Sequence, residues 1–393
     1  MKYKKFFFPF LLVLFSLKGF SVNMNVSIFS DLKVSSFSVK IKAGKYTLID
    51  KSNSEKNIHL QKNDSVNFTI SNKHIFVSVR SEKKVQYDSL EMKGAGINAF
   101  FSIYLLKPSL KEVRSYEDNL DLYVANENFL IVNTIELEKY ISGVVECEGG
   151  NLNAGEEFLK VQAIICRSYA VKNMKKHIKE GYQLCDQVHC QVYRGKCKDK
   201  SSNIRIATYK TSGDVIVNDD NEIISATFHS NSGGQTVNSE DIWNKPLPYL
   251  RSITDSFSMK NQHTNWEKKI NKKAWFDYLA KNYNYPINDS VMRDSAIKFH
   301  QNTRKAYFPN HIPLHQIRND FRLNSTFFSI YVLGDSLVFK GKGYGHGVGL
   351  SQEGAAEMSK RGYKYLDIIK FYYKNIKIVN FEELKKINKD KSK

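Results

Sequence analysis

The chain has 393 residues, with 59 Lys and Arg against 40 Asp and Glu, giving a formal charge of +19. Hydrophobic residues make up 41% and aromatics 13%, which supports a large apolar core and excludes a chain that is disordered as a whole. At about 100–200 residues per domain the length suggests two or three units, and the basic balance calls for an anionic partner: nucleic acid, lipid headgroups or an acidic polymer.

The first segment narrows that choice. Lys2, Lys4 and Lys5 precede an apolar run from Phe6 to Leu17 and a small-residue end at Gly19-Phe20-Ser21. This order predicts a secretory signal peptide over residues 1–21. The alternative is an uncleaved anchor, but the run contains Pro9 and falls short of the roughly 20 residues needed to span a bilayer. Cleavage would remove four lysines and no acid, leaving 19 less 4, or +15. No later stretch is apolar enough to span a membrane. An exported basic chain argues against nucleic acid and for an anionic partner in the periplasm, cell wall or cell envelope. Five cysteines, at 147, 166, 185, 190 and 197, are an odd number and do not read as a disulfide framework.

Residues 22–115 alternate apolar and polar positions in short runs broken by Gly, Asn and Asp, which predicts an antiparallel β unit. A hairpin over 120–145 leads to VVECEGG (144–150), read as the end of a strand that places Glu146 and Glu148 on one face, with Gly149 and Gly150 letting a ligand approach the backbone. A desolvated Glu there would suit general-acid work; ordinary loop acids are the plainer alternative. A helix is predicted over 156–176, with acids at its start and Lys at its end. Next come Cys185, His189 and Cys190, with Cys197 and His177 nearby, in a spacing that fits zinc, a reduced pair or a Cys185–Cys190 disulfide. FHSNSGGQT (228–236) reads as a strand end carrying His229, Ser230 and Ser232, without the elbow motif of serine hydrolases. A Lys- and Asn-rich stretch over 256–310 reads as an insertion. GKGYGHGVGLSQEGA (341–355) fails every nucleotide-loop pattern, and its alternate glycines would set Tyr344, His346 and Val348 on one face of an extended segment. Two helices follow, the first capped by Ser351, and a basic tail closes the chain at 381–393.

Taken in order, VVECE, KVQAIICRSYA (160–170), QLCDQVHCQVYRG (183–195), HSNSGGQT, WNKPLPYLRS (243–252) and the glycine segment resemble the stage II sporulation protein D / amidase enhancer (SpoIID/LytB) family. The resemblance covers residues 140–374, leaves the N-terminal β unit outside, and implies a mixed α/β catalytic domain over 116–380 with a substrate groove; with the β unit in front, the chain is expected to be α+β. It implies a peptidoglycan lytic transglycosylase that cleaves MurNAc–GlcNAc bonds, best on strands without stem peptides, and leaves 1,6-anhydro ends. Such an enzyme manages with one carboxylate because the substrate's own C6 hydroxyl is the nucleophile, whereas ordinary glycosidases need two. The pattern puts that acid at Glu148. Arg167 would orient it or bind sugar oxygens; Gln162, Tyr193, His229, Ser230, Ser232, Tyr344, His346 and Gln352 are candidate groove or supporting residues. No cofactor is required, and Cys185, His189 and Cys190 match the structural zinc ligands of some relatives, with His177 farther upstream than their fourth ligand. Where the family continues with Met and Pro, this chain has Gly149-Gly150, so the loop after the acid differs. The alternative function is a non-catalytic wall protein that binds glycan or enhances a cell-wall amidase.

Overall fold

The computed structural model describes residues 22–50, 57–80, 84–152, 154–198 and 201–384. The predicted signal segment 1–21 and all but the first residues of the basic tail lie outside them. The protein is α+β, as the sequence pattern predicts, and no helix among the described residues is long and apolar enough to cross a membrane.

The N-terminal strands are β1 (Asn23–Ser27), β2 (Ser36–Asp50), β3 (Ile58–Leu60), β4 (Ser65–Ser71), β5 (His74–Val79), β6 (Val85–Tyr87), β7 (Leu90–Lys107), β8 (Arg114–Glu117), β9 (Asn119–Ala125) and β10 (Asn128–Glu136). The alternation that predicts them is visible in β2, where Phe37, Val39, Ile41, Tyr46 and Leu48 are buried. The sheet does not stop near residue 115. Its order is β11-β1-β10-β9-β7-β2-β4-β5-β6, and β11 (Leu184–Cys185) pairs in parallel with β1. The β unit therefore reaches directly into the cysteine-bearing loop. Asp186, fully buried beside β11, strengthens that join by accepting hydrogen bonds from Phe29 N, Ser30 N and Arg114 Nη1.

Two helices carry the central motif. Helix α1 (Leu137–Gly149) buries Leu137, Tyr140, Ile141, Val144 and Val145, a spacing that keeps one face inward. The segment VVECE is thus the last turns of a helix, not a strand, because the i, i+3, i+4 pattern beginning at Leu137 continues through it. Helix α2 (Gly155–Lys172) packs against α1 and α3 (Ser202–Lys210). Gly149 lets the helices approach closely: a Cβ there would lie 3.2 Å from Phe158 and 3.3 Å from Gln162. With Gly150 it also lines an open cleft.

Beyond these lie β12 (Asp214–Val217), β13 (Phe228–His229) and the short α4 (Glu240–Trp243). A smaller lobe follows with β14 (Asn265–Asn271), α5 (Lys272–Tyr283), α6 (Ser290–Ile297), β15 (Tyr307–Phe308), β16 (Ile312–Pro313), α7 (Leu314–Asp320), β17 (Phe328–Leu333) and β18 (Ser336–Lys342). It has its own core around Trp275, Phe308, Phe328 and Phe339, with β14-β18-β17 as its sheet. The stretch 256–310 is therefore half of a unit that is completed by the strands after it. The chain returns through the glycine segment to β19 (Leu350–Ser351), α8 (Gln352–Lys360), α9 (Tyr365–Tyr372) and β20 (Lys377–Asn380), and β19 pairs with β13. Ser351 caps α8 by accepting from Gly354 N, as its sequence position predicts.

Arg167 of α2 holds the helices together. It is fully buried; its Nε and Nη2 donate to the Glu138 carboxylate at 2.9 and 2.5 Å, and its remaining donors reach Asp214 O and Thr208 O. A guanidinium out of water needs such complete pairing. Removing one partner leaves the other charge buried alone, so Glu138→Gln is expected to cost about 3–5 kcal/mol in denaturant unfolding. A loss below about 1 kcal/mol would show that the pair does not hold α1 to α2.

Candidate functional site

The end of α1 separates the two acids read from VVECE. Residues two apart on a helix point nearly opposite ways, at about 100° per residue. Glu146 turns toward α3, where Oε1 accepts from Ser201 Oγ at 2.6 Å and Oε2 from Lys198 N at 3.2 Å. Glu148 turns the other way, into a cavity of about 260 Å³ that it shares with Tyr169, Gln191, Thr227, Phe228 and His346. Its Oε1 accepts a single hydrogen bond, from Val192 N at 2.9 Å. Burial pushes its pKa above the ordinary glutamate range, and the Val192 N–H only partly offsets this. Among the described residues no other carboxylate lines the cavity.

A larger cleft of about 420 Å³ lies beside Gly150, Leu159 and Ile204, and Glu156 on its wall is in the opposite condition. Hydrogen bonds from Lys160 and Lys210 bring the Glu156 pKa down to about 2, so it stays ionised and has no proton to give.

Beneath Glu148, Gln352 at the start of α8 donates from Nε2 to the Glu148 carbonyl at 2.9 Å and approaches Gln162 Oε1 at 3.4 Å. Both residues belong to the predicted set, and the structure brings them together under the acid. His346 faces the same cavity. Its Nδ1 accepts from Val348 N at 3.0 Å, which places the proton of the neutral ring on Nε2. Burial, with Arg318 and Arg304 nearby, holds its pKa near 4, so it is neutral over the physiological range. His229 stands behind it at 5.5 Å between ring centroids and bonds through Nδ1 to Val348 O. Trp243 covers the other side of His346, at 5.3 Å.

Other predicted residues lie elsewhere. Arg167 is spent on Glu138 and makes no hydrogen bond to Glu148, and it is not exposed to a sugar. Tyr193 is fully buried, with its hydroxyl on Asn133 Oδ1. Ser232 donates to the buried Asp255, alongside Ser258 and Tyr372, while Ser230 offers its carbonyl to Glu353 N. The glycine segment is not a flat ribbon: Gly343, Gly345, Gly347 and Gly349 all have φ between +72° and +107°. Each would also put a Cβ within 2.8 Å of a neighbour, so the backbone itself packs against 227–237 while Tyr344 remains 43% exposed. Tyr169, Gln191 and Thr227 line the cavity without having been singled out. The first two sit inside quoted motifs, but Thr227, whose buried Oγ1 has no partner among the described residues, carries no sequence signal.

On one edge of the cavity, Cys190 begins a second cluster. One donor atom each from His177, Cys185, His189 and Cys190 lies within 4.8 Å of all the others. The separation of His177 along the chain is taken up by the turn at 178–180 and Gly181, φ +89°, which fold it back. Cys185 Sγ to His189 Nδ1 is 3.8 Å, Cys190 Sγ to His177 Nε2 is 3.5 Å and Cys190 Sγ to His189 Nδ1 is 3.9 Å. A zinc tetrahedron with ordinary bond lengths has S···N edges of about 3.6 Å, so the donor set fits. His177 Nδ1 meets Glu180 Oε1 at 2.8 Å, the outer hydrogen bond that orients a metal-binding imidazole.

A family model described as stage II sporulation protein matches residues 125–218, which contain α1, α2 and the cysteine loop. Stage II sporulation protein D of Bacillus subtilis (strain 168) is 30% identical over 78% of this chain and 88% of its own length. The protein of the same name from Bacillus amyloliquefaciens is 30% identical over 63% of the chain and 75% of its own. The amidase enhancer of B. subtilis is 24% identical over 57% of the chain and 38% of its own. The chain belongs to the stage II sporulation protein D family.

Gln at position 148 would keep an acceptor for Val192 N–H and remove the charge that burial disfavours. The folded pKa of Glu148 lies above its unfolded value, so its stabilising contribution is full at low pH and lost as pH rises through the folded pKa. Glu148→Gln is therefore expected to melt above wild type at about pH 8 and to lose that advantage toward about pH 4. A pH-independent difference would contradict the desolvation of this carboxyl.

Proposed function

We propose that the protein is an exported lytic transglycosylase acting on peptidoglycan glycan strands, with Glu148 as its only acid and base. The observation that carries the reading is the solitary carboxylate: a cavity with one desolvated Glu and no second acid among the described residues suits a reaction whose nucleophile belongs to the substrate. Protonated Glu148 gives its proton to the oxygen leaving C1 of the muramic acid. Charge builds on the ring, the C6 hydroxyl closes on C1, and the carboxylate takes that hydroxyl's proton, which returns Glu148 to its starting state. No water is consumed. Neutral His346 lines the same cavity and cannot compete for the acid role.

Because the first step needs the protonated carboxyl, activity falls as pH rises through the raised Glu148 pKa. The alkaline limb of the pH–rate profile should lie above the ordinary glutamate range. On peptide-free strands, Glu148→Gln is expected to lower release of 1,6-anhydro ends by about 100-fold or more and to retain strand binding. Glu146→Gln, whose carboxylate faces Ser201, should stay within about tenfold of wild type. The reverse pattern would overturn the assignment. The similarity to an amidase enhancer supports a second reading, in which the groove binds glycan and stimulates a cell-wall amidase without cutting. Amidase stimulation with no 1,6-anhydro product would favour it.

The residues His177, Cys185, His189 and Cys190 would hold a structural zinc. Its chemistry there is cross-linking: it would fix the loop whose Val192 N–H holds Glu148, two residues beyond Cys190. Protein purified without added metal is expected to contain about one equivalent of zinc, lost in Cys185→Ser together with a lower Tm. Metal-free wild-type protein of unchanged Tm would count against this role.

A further inference from the structure

Two arginines of the smaller lobe have no acid. Arg304 stacks over Phe327, donates Nη1 to Thr326 Oγ1 and Nη2 to Ser232 O, and leaves its buried Nε without a partner among the described residues. Arg318 of α7 has a 3.4 Å contact from Nε to Asn324 O, and its Nη1 and Nη2 meet no acceptor among the described residues. Neither forms a salt bridge with a described acid. Other desolvated arginines of this chain do: Arg167 takes Glu138, Arg114 takes Asp186 and Glu112, and Arg205 takes Glu117.

Withdrawing a guanidinium from water without a counter-charge is unfavourable. Burial and mutual repulsion accordingly bring the Arg304 pKa down to about 9, and burial lowers that of Arg318. Both stand close enough to His346, in the wall of the Glu148 cavity, to lower its pKa as well. The Arg318 fork opens on a pocket of about 250 Å³ with Arg322, Asn324 and the exposed ring of Tyr344. That pocket is cationic, has an aromatic edge, and lies along the glycine segment from the acid.

We propose that Arg318, backed by Arg304, is the subsite that reads the free lactyl carboxylate of a muramic acid and so selects strands without stem peptides. A guanidinium fork matches a carboxylate through two parallel N–H···O bonds, and a peptide-linked lactyl group is an uncharged amide that offers one acceptor and adds bulk. Tyr344 supplies the flat apolar surface on which a sugar ring packs. The fold thereby assigns chemistry to Glu148 and substrate choice to a different lobe. This inference rests on the glycan-strand reading of the Glu148 groove, but the two can fail separately.

The test uses the full chain carrying Glu148→Gln to stop turnover, and two probes: peptide-free glycan strands, and the same strands with their lactyl carboxylates converted to methylamides. Amidation is expected to weaken binding about tenfold, the worth of one charge-assisted contact. Adding Arg318→Gln should weaken binding to the native strands by a similar factor, leave binding to the amidated strands unchanged, and be partly rescued by Arg318→Lys. Equal affinity for the two probes, or an equal effect of Arg318→Gln on both, overturns the subsite. Wild-type protein is assayed in parallel for 1,6-anhydro ends. Cleavage indifferent to amidation sinks the subsite and leaves the chemistry, whereas carboxylate-dependent binding without cleavage does the opposite. Binding of neither probe sinks both.

Discussion

Glu148 is held at both ends of the residue. Its carboxylate accepts from Val192 N and its carbonyl accepts from Gln352 Nε2, so segments 44 and 204 residues away in sequence converge on one position. Each of those segments needs its own support. Val192 belongs to the loop secured by β11 and Asp186 against the N-terminal sheet, and Gln352 opens the helix capped by Ser351. The N-terminal β unit, which carries no chemistry of its own in the sequence, therefore contributes to the site through the backbone of one loop.

The carboxylates around α1 and α2 show how environment sorts identical side chains. Glu138 is committed to a buried guanidinium, Glu146 to a hydroxyl and an amide, and Glu156 to two lysines. Glu148 is desolvated, with the neutral Val192 N–H as its hydrogen-bond donor. The four differ by helix face and by which element packs against that face, and the 3.6-residue turn is enough to separate them.

Much of this was legible in the sequence, because motifs fix residue identity and periodicity fixes element type. The strands of the β unit, the second helix and the Ser351 cap follow from alternation, charge placement and cap chemistry. VVECE alone does not tell a helix end from a strand, because five residues are too few; the inward spacing begins earlier, at Leu137. The glycines after it line a cleft, and Gly149 also packs closely against α2, a contact that the motif does not reveal. Arg167 was given to the site because it shares a motif with the acid, but its fully buried position tied it to Glu138. His177 looked remote along the chain, and only the fold-back at 178–181 brings it to the cysteines. Arg304 and Arg318 left no trace at all, since having no counter-ion is a property of three-dimensional surroundings and not of a pattern.

The glycine segment has one more consequence. It joins the lobe bearing Arg304 and Arg318 to the body bearing Glu148, and its four left-handed residues leave no room for a side chain. A joint packed this tightly keeps a constant span between the Arg318 pocket and the Glu148 cavity. On the proposed reading, a constant span along a polymer that repeats every two sugars is a ruler: the cut would fall a fixed number of sugars from the muramic acid held by the lobe. Fragment lengths would then be set by the protein's own geometry and by where the wall has already been stripped of peptides.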